Sequence, residues 1–195
     1  VKCRLGVDQD NDYAAFAGFV DRQVQAGAAM VVVHARNAWL QGLSPKENRE
    51  VPPLRYDWAY RLKAERPALP VVLNGGLATV EAAQAQLAHV DGVMLGRAAY
   101  HDPYVLHLLE AAQTGAPLRS REELLQQMRP YVESQLQAGL ALKHITRHLL
   151  GLYHGQPGGR GFRKVLSEGA HLPGADWALV EQAVQVTRDQ AARAA

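Results

Sequence analysis

Four short apolar runs, separated by stretches of helical periodicity, constrain this chain more than any other feature. The runs lie near residues 1–6, 28–34, 70–74 and 92–96, and the helical stretches near 11–26, 56–66, 79–87 and 103–113. The runs after the first are short and continuous, the pattern of strands covered on both faces. Gly27 follows the first helical stretch as a stop signal, and Thr79 with Glu81 opens the third. Strand and helix alternating in this way predict a parallel sheet with right-handed crossovers. From about residue 114 the pattern changes. "TGAPLRS" reads as a linker, and Ser120 with Glu123 forms a capping box for a helix near 121–138. Helical stretches near 140–151, 159–168 and 174–194 follow, with no strand pattern. The chain thus divides into a βα part, 1–113, and an all-helical part, 114–195.

Composition excludes several classes. With 48% hydrophobic and 21% charged residues in 195, the chain has material for a real core, and its net charge of +2 points to no partner by itself. A single cysteine, Cys3, excludes a disulfide framework and a cysteine zinc site, and suits a reducing cytoplasm. No apolar run approaches membrane-spanning length, and the opening residues do not read as a secretory signal. The first residue is Val1, inside a predicted strand, which predicts a piece of a longer chain.

In βα folds chemistry gathers at the carboxyl ends of strands. In "VKCRLG" side chains alternate, so Lys2 and Arg4 share one face while Val1, Cys3 and Leu5 take the other. Two cations on one face of a buried strand require an anion or polar ligand; the alternative is a surface edge strand. The second strand ends at His34, a structural histidine or a ligand, and from it hangs the loop "HARNAWLQGLSPKENRE". The third ends in "VVLNGG", where Asn74, Gly75 and Gly76 let backbone N–H groups approach a ligand oxygen. The fourth ends in "VMLGRAAY", where Gly96 precedes Arg97, a bidentate partner for phosphate. Barrels commonly build a phosphate site from the loops after strands seven and eight. If these are those strands, the chain is the second half of a TIM (β/α)8 barrel followed by a small helical bundle, and strands one to four precede Val1.

The segments "VKCRLGVD", "HARNAWLQGLSPKENRE", "VVLNGG", "DGVMLGRAAYHDP" and "LKHITRHLLGLYHGQPGGRGFRKVLS" together resemble the tRNA-dihydrouridine synthases, closest to the A-type subfamily, over nearly the whole chain. The resemblance implies an FMN-bearing barrel with a helical tRNA-gripping domain. It implies that FMN, reduced by NADPH, passes a hydride to the C5–C6 double bond of a D-loop uridine, positions 20 and 20a, while a cysteine gives the proton. Carried over by residue, Lys2 sits at the polar edge of the flavin, with Arg4 and His34 near flavin and uracil. Asn74, Gly75, Gly76, Gly96 and Arg97 hold the FMN phosphate. Lys46 and Arg49 in the loop, and Arg160 and Arg163 in the helical part, contact tRNA. The family's proton-donating cysteine lies in the first half of the barrel, and Cys3 has the wrong context to replace it. No catalytic residue is therefore assigned here, and these residues alone are expected to be inactive.

The helical part carries its own signal. Between Glu133 and Glu168 no acidic residue occurs, while Lys143, Arg147, Arg160, Arg163 and Lys164 fall there with His144, His148 and His154. Lys143 and Arg147 are four apart and Arg160 and Arg163 three apart, so each pair shares a helix face. A positive, acid-free surface is the footprint of phosphate-backbone binding, against the alternative of a solvated helix face. His144 and His148 have metal-ligand spacing but no third ligand, and no metal is assigned. Two other readings stay open: another FMN or sugar-phosphate barrel acting on a small molecule, its helical tail a dimer arm, or a non-catalytic RNA-binding module with a remnant barrel. No obligate protein partner, and no membrane, is implied.

Overall fold

The computed structural model describes residues 1–8 and 12–194. It resolves into two compact units, one from Val1 to Gly96 and one from Arg97 onward. In the first, β1 (Lys2–Arg4), β2 (Val31–His34), β3 (Val71–Asn74) and β4 (Gly92–Met94) form one sheet in sequential order. Every pairing is parallel. The crossovers carry α1 (Tyr13–Gln25), α2 (Tyr56–Glu65) and α3 (Val80–Leu87). This is the βα arrangement that the apolar runs predict, with strands shorter than the runs. The extra residues still pair: Ala38 N donates to Gly6 O (2.9 Å) and Asp8 N to Ala38 O (2.7 Å), extending β1 against β2 without a regular ladder. The expected start of the first helix at residue 11 lies outside the described residues; Asp12 caps α1 by accepting from Ala14 N (2.8 Å).

Alternation along the strands decides what each sheet face does. Val33 and Leu73 are fully buried, and Cys3 packs against the same core, which Phe16 and Val20 of α1 and Trp58 and Leu62 of α2 complete. Burial of each such large side chain contributes about 1.5–3 kcal/mol. The other row of residues faces away from this core, so the sheet has one closed face and one face left for other work.

The second unit is helical: α4 (Arg97–His101), α5 (Tyr104–Thr114), α6 (Arg121–Gln137), α7 (Lys143–Thr146), α8 (Gly159–Gly169) and α9 (Trp177–Ala194). Its core gathers Leu125, Leu142, Phe162, Leu166 and Val180. The Ser120–Glu123 capping box forms as read from the sequence. Three details differ. The units divide at Gly96/Arg97 rather than at 113/114, because α5 belongs with the helices: Tyr104 packs on their core, its hydroxyl donates to Arg119 O (2.7 Å), and the Arg121 guanidinium lies 3.9 Å from the Tyr104 ring centre. The short helix α4 escapes the sequence pattern. The stretch 140–151 is helical only over Lys143–Thr146, and turns follow. No helix among the described residues is long and apolar enough to cross a membrane.

The glycines around Arg160 have a packing reason. A Cβ at Gly161 would stand 2.4 Å from Val186 of α9, and one at Gly159 2.0 Å from the Tyr153 carbonyl oxygen. Small residues there let α8 press against its neighbours while Phe162 and Leu166 are buried. Arg160 and Arg163, between the buried positions, are left exposed.

Candidate functional site

The open face of the sheet carries the site. In register, Arg4 pairs with His34, His34 with Asn74, and Asn74 with Met94, so these four form one row across the carboxyl ends of the strands. Residues aligned across paired strands point to the same side. Lys2, exposed, stands one pair earlier on the same face. Cys3 turns into the apolar core, and burial pushes its thiol pKa up. The sequence alternation thus distributes β1 as read: cations to the open face, Cys3 to the helices.

His34 is 9% exposed. Burial, then the charges of Arg4, Lys2, Arg36 and Arg49, push its pKa down to about 4. At neutral pH the imidazole is uncharged, with one nitrogen free to donate and the other to accept. Its ring lies against the turn after β3. Gly75 and Gly76 adopt φ of 116° and 69°, and a Cβ on Gly75 would fall 2.8 Å from His34 Cδ2. Side-chain-free residues are needed here twice over, for the backbone conformation and for the histidine. Tyr56 Oη locks the turn by donating to Gly75 O (2.5 Å). Asn74 Nδ2 donates to Met94 O (2.7 Å), tying the ends of β3 and β4. Gly96 differs. A Cβ there meets nothing within 4 Å, so the chain itself leaves space beside that backbone. Arg97, next in sequence, opens α4.

Arg4 has a role the sequence did not suggest. Its Nη1 donates to Asn37 O (2.7 Å) and Asn48 O (2.8 Å), at the two ends of the long loop after β2. Arg36 Nη1 likewise donates to Glu50 O (3.0 Å) and to Pro52 O. Inside the loop, Asn48 Oδ1 accepts from Trp39 N (2.8 Å) and its Nδ2 donates to Trp39 O (2.6 Å). At the short 3-10 turn Glu47–Arg49, Ser44 N donates to Glu47 Oε2 (2.8 Å) and Glu47 N to Ser44 Oγ (3.3 Å). Lys46 and Arg49, flanking Asn48, are exposed. Sequence reading picked out the loop's cations and missed Asn48, which shapes the loop, and Tyr56, which locks the turn after β3. An Asn inside a polar loop gives no sign of which backbone it will pair with.

In the second unit Arg160 and Arg163 line one pocket of about 270 Å³ with Tyr153, His154 and Gln156. Lys143, His144, Arg147 and His148 are exposed, while Leu142, Ile145 and Leu149 between them are buried.

Cations, a neutral histidine and glycine turns thus gather at the carboxyl ends of a parallel sheet, the end at which βα folds carry their chemistry. The chain matches the Dihydrouridine synthase (Dus) family over residues 1–190 and belongs to that family. It is 77% identical over 195 residues to the tRNA-dihydrouridine(20/20a) synthase of Xanthomonas campestris pv. campestris, covering 100% of this chain and 58% of that protein. The enzyme of the same name from Xylella fastidiosa (strain 9a5c) is 63% identical over 196 residues, again 100% of this chain and 58% of that protein. The one from Salmonella typhimurium is 45% identical over 193 residues, covering 97% and 58%. The chain therefore spans a little over half the length of these curated relatives. Its fold class is α/β, four sequential parallel strands of a (β/α)8-type barrel followed by helices.

Proposed function

We propose that this chain contributes the FMN phosphate site and a tRNA-binding surface to a tRNA-dihydrouridine synthase acting on D-loop uridines 20 and 20a. The observation that carries this reading is the 77% identity, over 195 residues, to a relative of that name. Bound FMN, reduced by NADPH, supplies the hydride for the uracil C5–C6 double bond.

The residues present fit that cofactor. Space beside Gly96, the tight turn Gly75–Gly76, and the cations Lys2 and Arg4 on the open face make a cradle for a ligand bearing negative charge. Asn74, Gly75, Gly76 and Gly96, with Arg97 following, would hold the phosphate, and Lys2 would serve the polar edge of the ring. His34, uncharged, would orient flavin and uracil by hydrogen bonds without adding a competing charge. Arg4 stands beside His34, with its guanidinium fixed on the loop. Lys46, Arg49, Arg160 and Arg163, all exposed, contact tRNA phosphates, whose neutralisation releases condensed counterions. Cys3, packed into the core, is not a proton donor for this reaction. A tRNA substrate places the enzyme in the cytoplasm.

The test is direct. The purified full-length protein should carry flavin absorbance, release FMN on denaturation, and with NADPH raise the dihydrouridine content at positions 20 and 20a of unmodified tRNA, read by mass spectrometry. A colourless protein, or one that reduces a small molecule and leaves tRNA unchanged, contradicts the proposal.

A further inference from the structure

We infer that Asn48, seated by Arg4, is a positioning residue that presents Lys46 and Arg49 to a phosphate backbone. The inference rests on the tRNA reading above and adds to it a residue with no direct contact to RNA.

The loop between β2 and α2 has little regular structure of its own, a single 3-10 turn, and most of its residues are exposed. Left to itself such a loop samples many conformations, and a partner that recognises shape would have to order it on binding. Three sets of bonds remove that freedom. Asn48 engages both backbone groups of Trp39 with one amide, as a neighbouring strand would, and so draws the returning limb of the loop onto the outgoing one. Arg4 then reaches up from the sheet and donates to Asn37 O and Asn48 O through one nitrogen, anchoring both limbs at one point. Glu47, the acidic residue between the two cations, has its Oε2 held by Ser44 N (2.8 Å), so its charge is engaged inside the loop.

The consequence is geometric. Lys46 and Arg49 leave the loop on either side of a residue whose own side chain is fixed inward, so their backbone positions are set before any ligand arrives. The anchor is also part of the site. Arg4 is the register partner of His34, so the loop's fixed point and the active-site histidine share one row of the sheet. An exposed loop made only for solubility needs none of this. Two basic residues offered to a regularly spaced anion do.

The experiment is a mutant cycle on full-length, flavin-loaded protein, with unmodified tRNA as the probe. Four proteins are compared: wild type, Asn48→Ala, the double variant Lys46→Ala with Arg49→Ala, and the triple variant. Asn48→Ala should weaken tRNA binding about tenfold, while the rate of flavin reduction by NADPH stays at the wild-type value. The triple variant should bind within about twofold of the double variant, because residues that act as a unit are not additive. Unchanged affinity in Asn48→Ala, additive losses in the triple variant, or flavin reduction falling in step with binding each overturns the inference. Wild-type protein that does not bind tRNA overturns the proposed function as well, which separates the two failures. If Asn48→Ala does not fold, Asn48→Asp keeps the acceptor for Trp39 N and removes the donor to Trp39 O, and the same readings apply to it.

Discussion

In the first unit the arginines nearest the site are held by backbone carbonyls: Arg4 by Asn37 and Asn48, Arg36 by Glu50 and Pro52. In the second, Arg160 and Arg163 stand exposed on α8, in a stretch of sequence with no acidic residue from Ser134 to Ser167. The contrast follows from solvation. A guanidinium at a strand end loses water and must be compensated by fixed partners, which also fixes its position. A guanidinium on a helix surface keeps its water until a phosphate replaces it, and releases counterions when that happens. Arg4 and Arg36 thus hold geometry with their charge, while the charge of Arg160 and Arg163 stays open to solvent. The same division appears in the cores: the helices of the second unit surround Phe162, whereas the sheet of the first is closed on one face alone.

The largest expected effect breaks the helical side of the comparison. Phe162 is fully buried against Tyr153, ring centres 4.7 Å apart. Phe162→Ala should cost about 3–5 kcal/mol of stability, measured by denaturant unfolding. In the protein that remains folded, the His34 ring resonances should not move. A loss below about 1 kcal/mol would mean that the core of the second unit does not depend on α8.

On the sheet side the largest effect is one of pH. His34 titrates near 4 when folded and near 6.5 when its surroundings are lost. Between those values the unfolded chain binds a proton that the folded chain does not, so stability falls as pH drops from 6.5 to 4 and levels off below. At about 1.4 kcal/mol per pH unit the total for this one group is about 3 kcal/mol. His34→Gln should flatten that window. NMR titration of the His34 ring checks the value itself, and a midpoint near 6.5 would contradict the burial and the four-cation surroundings.

Gly75→Ala should cost about 1–3 kcal/mol from the positive φ, and more where the new methyl displaces the His34 ring. Its diagnostic is specific: His34 should titrate closer to 6.5 in the variant as it is pushed toward solvent. The mildest change is Ser120→Ala. It removes one half of the α6 capping box and should cost about 1 kcal/mol in thermal unfolding, with no effect on His34.

The sequence made the βα order, the capping box and the two-faced first strand legible because each rests on local spacing: period two along a strand, or a cap three residues from its partner. It also marked the strand-end residues, since loops at carboxyl ends carry chemistry in parallel sheets whatever the side chains. What it hid depends on distance in sequence. That Arg4 would hold a loop carbonyl 33 residues later, or that Asn48 would pair with Trp39 across a turn, has no periodicity to betray it. The helix expected over 140–151 failed for the opposite reason. Its apolar spacing is real, with Leu142, Ile145 and Leu149 buried, but turns satisfy the same spacing as a helix does.

The division of labour between the units is tested most directly in full-length protein carrying Arg160→Ala and Arg163→Ala together, by measuring tRNA affinity across a salt series and FMN content on the same preparation. Each arginine on a phosphate accounts for about one unit of the logarithmic salt slope, so the variant should bind tRNA more weakly with a slope lower by about two. Its flavin content should equal that of wild type, because neither arginine is among the residues proposed for the cofactor. Unchanged affinity and slope, or flavin lost along with tRNA binding, would contradict the assignment of anchoring charge to the sheet and attracting charge to the helices.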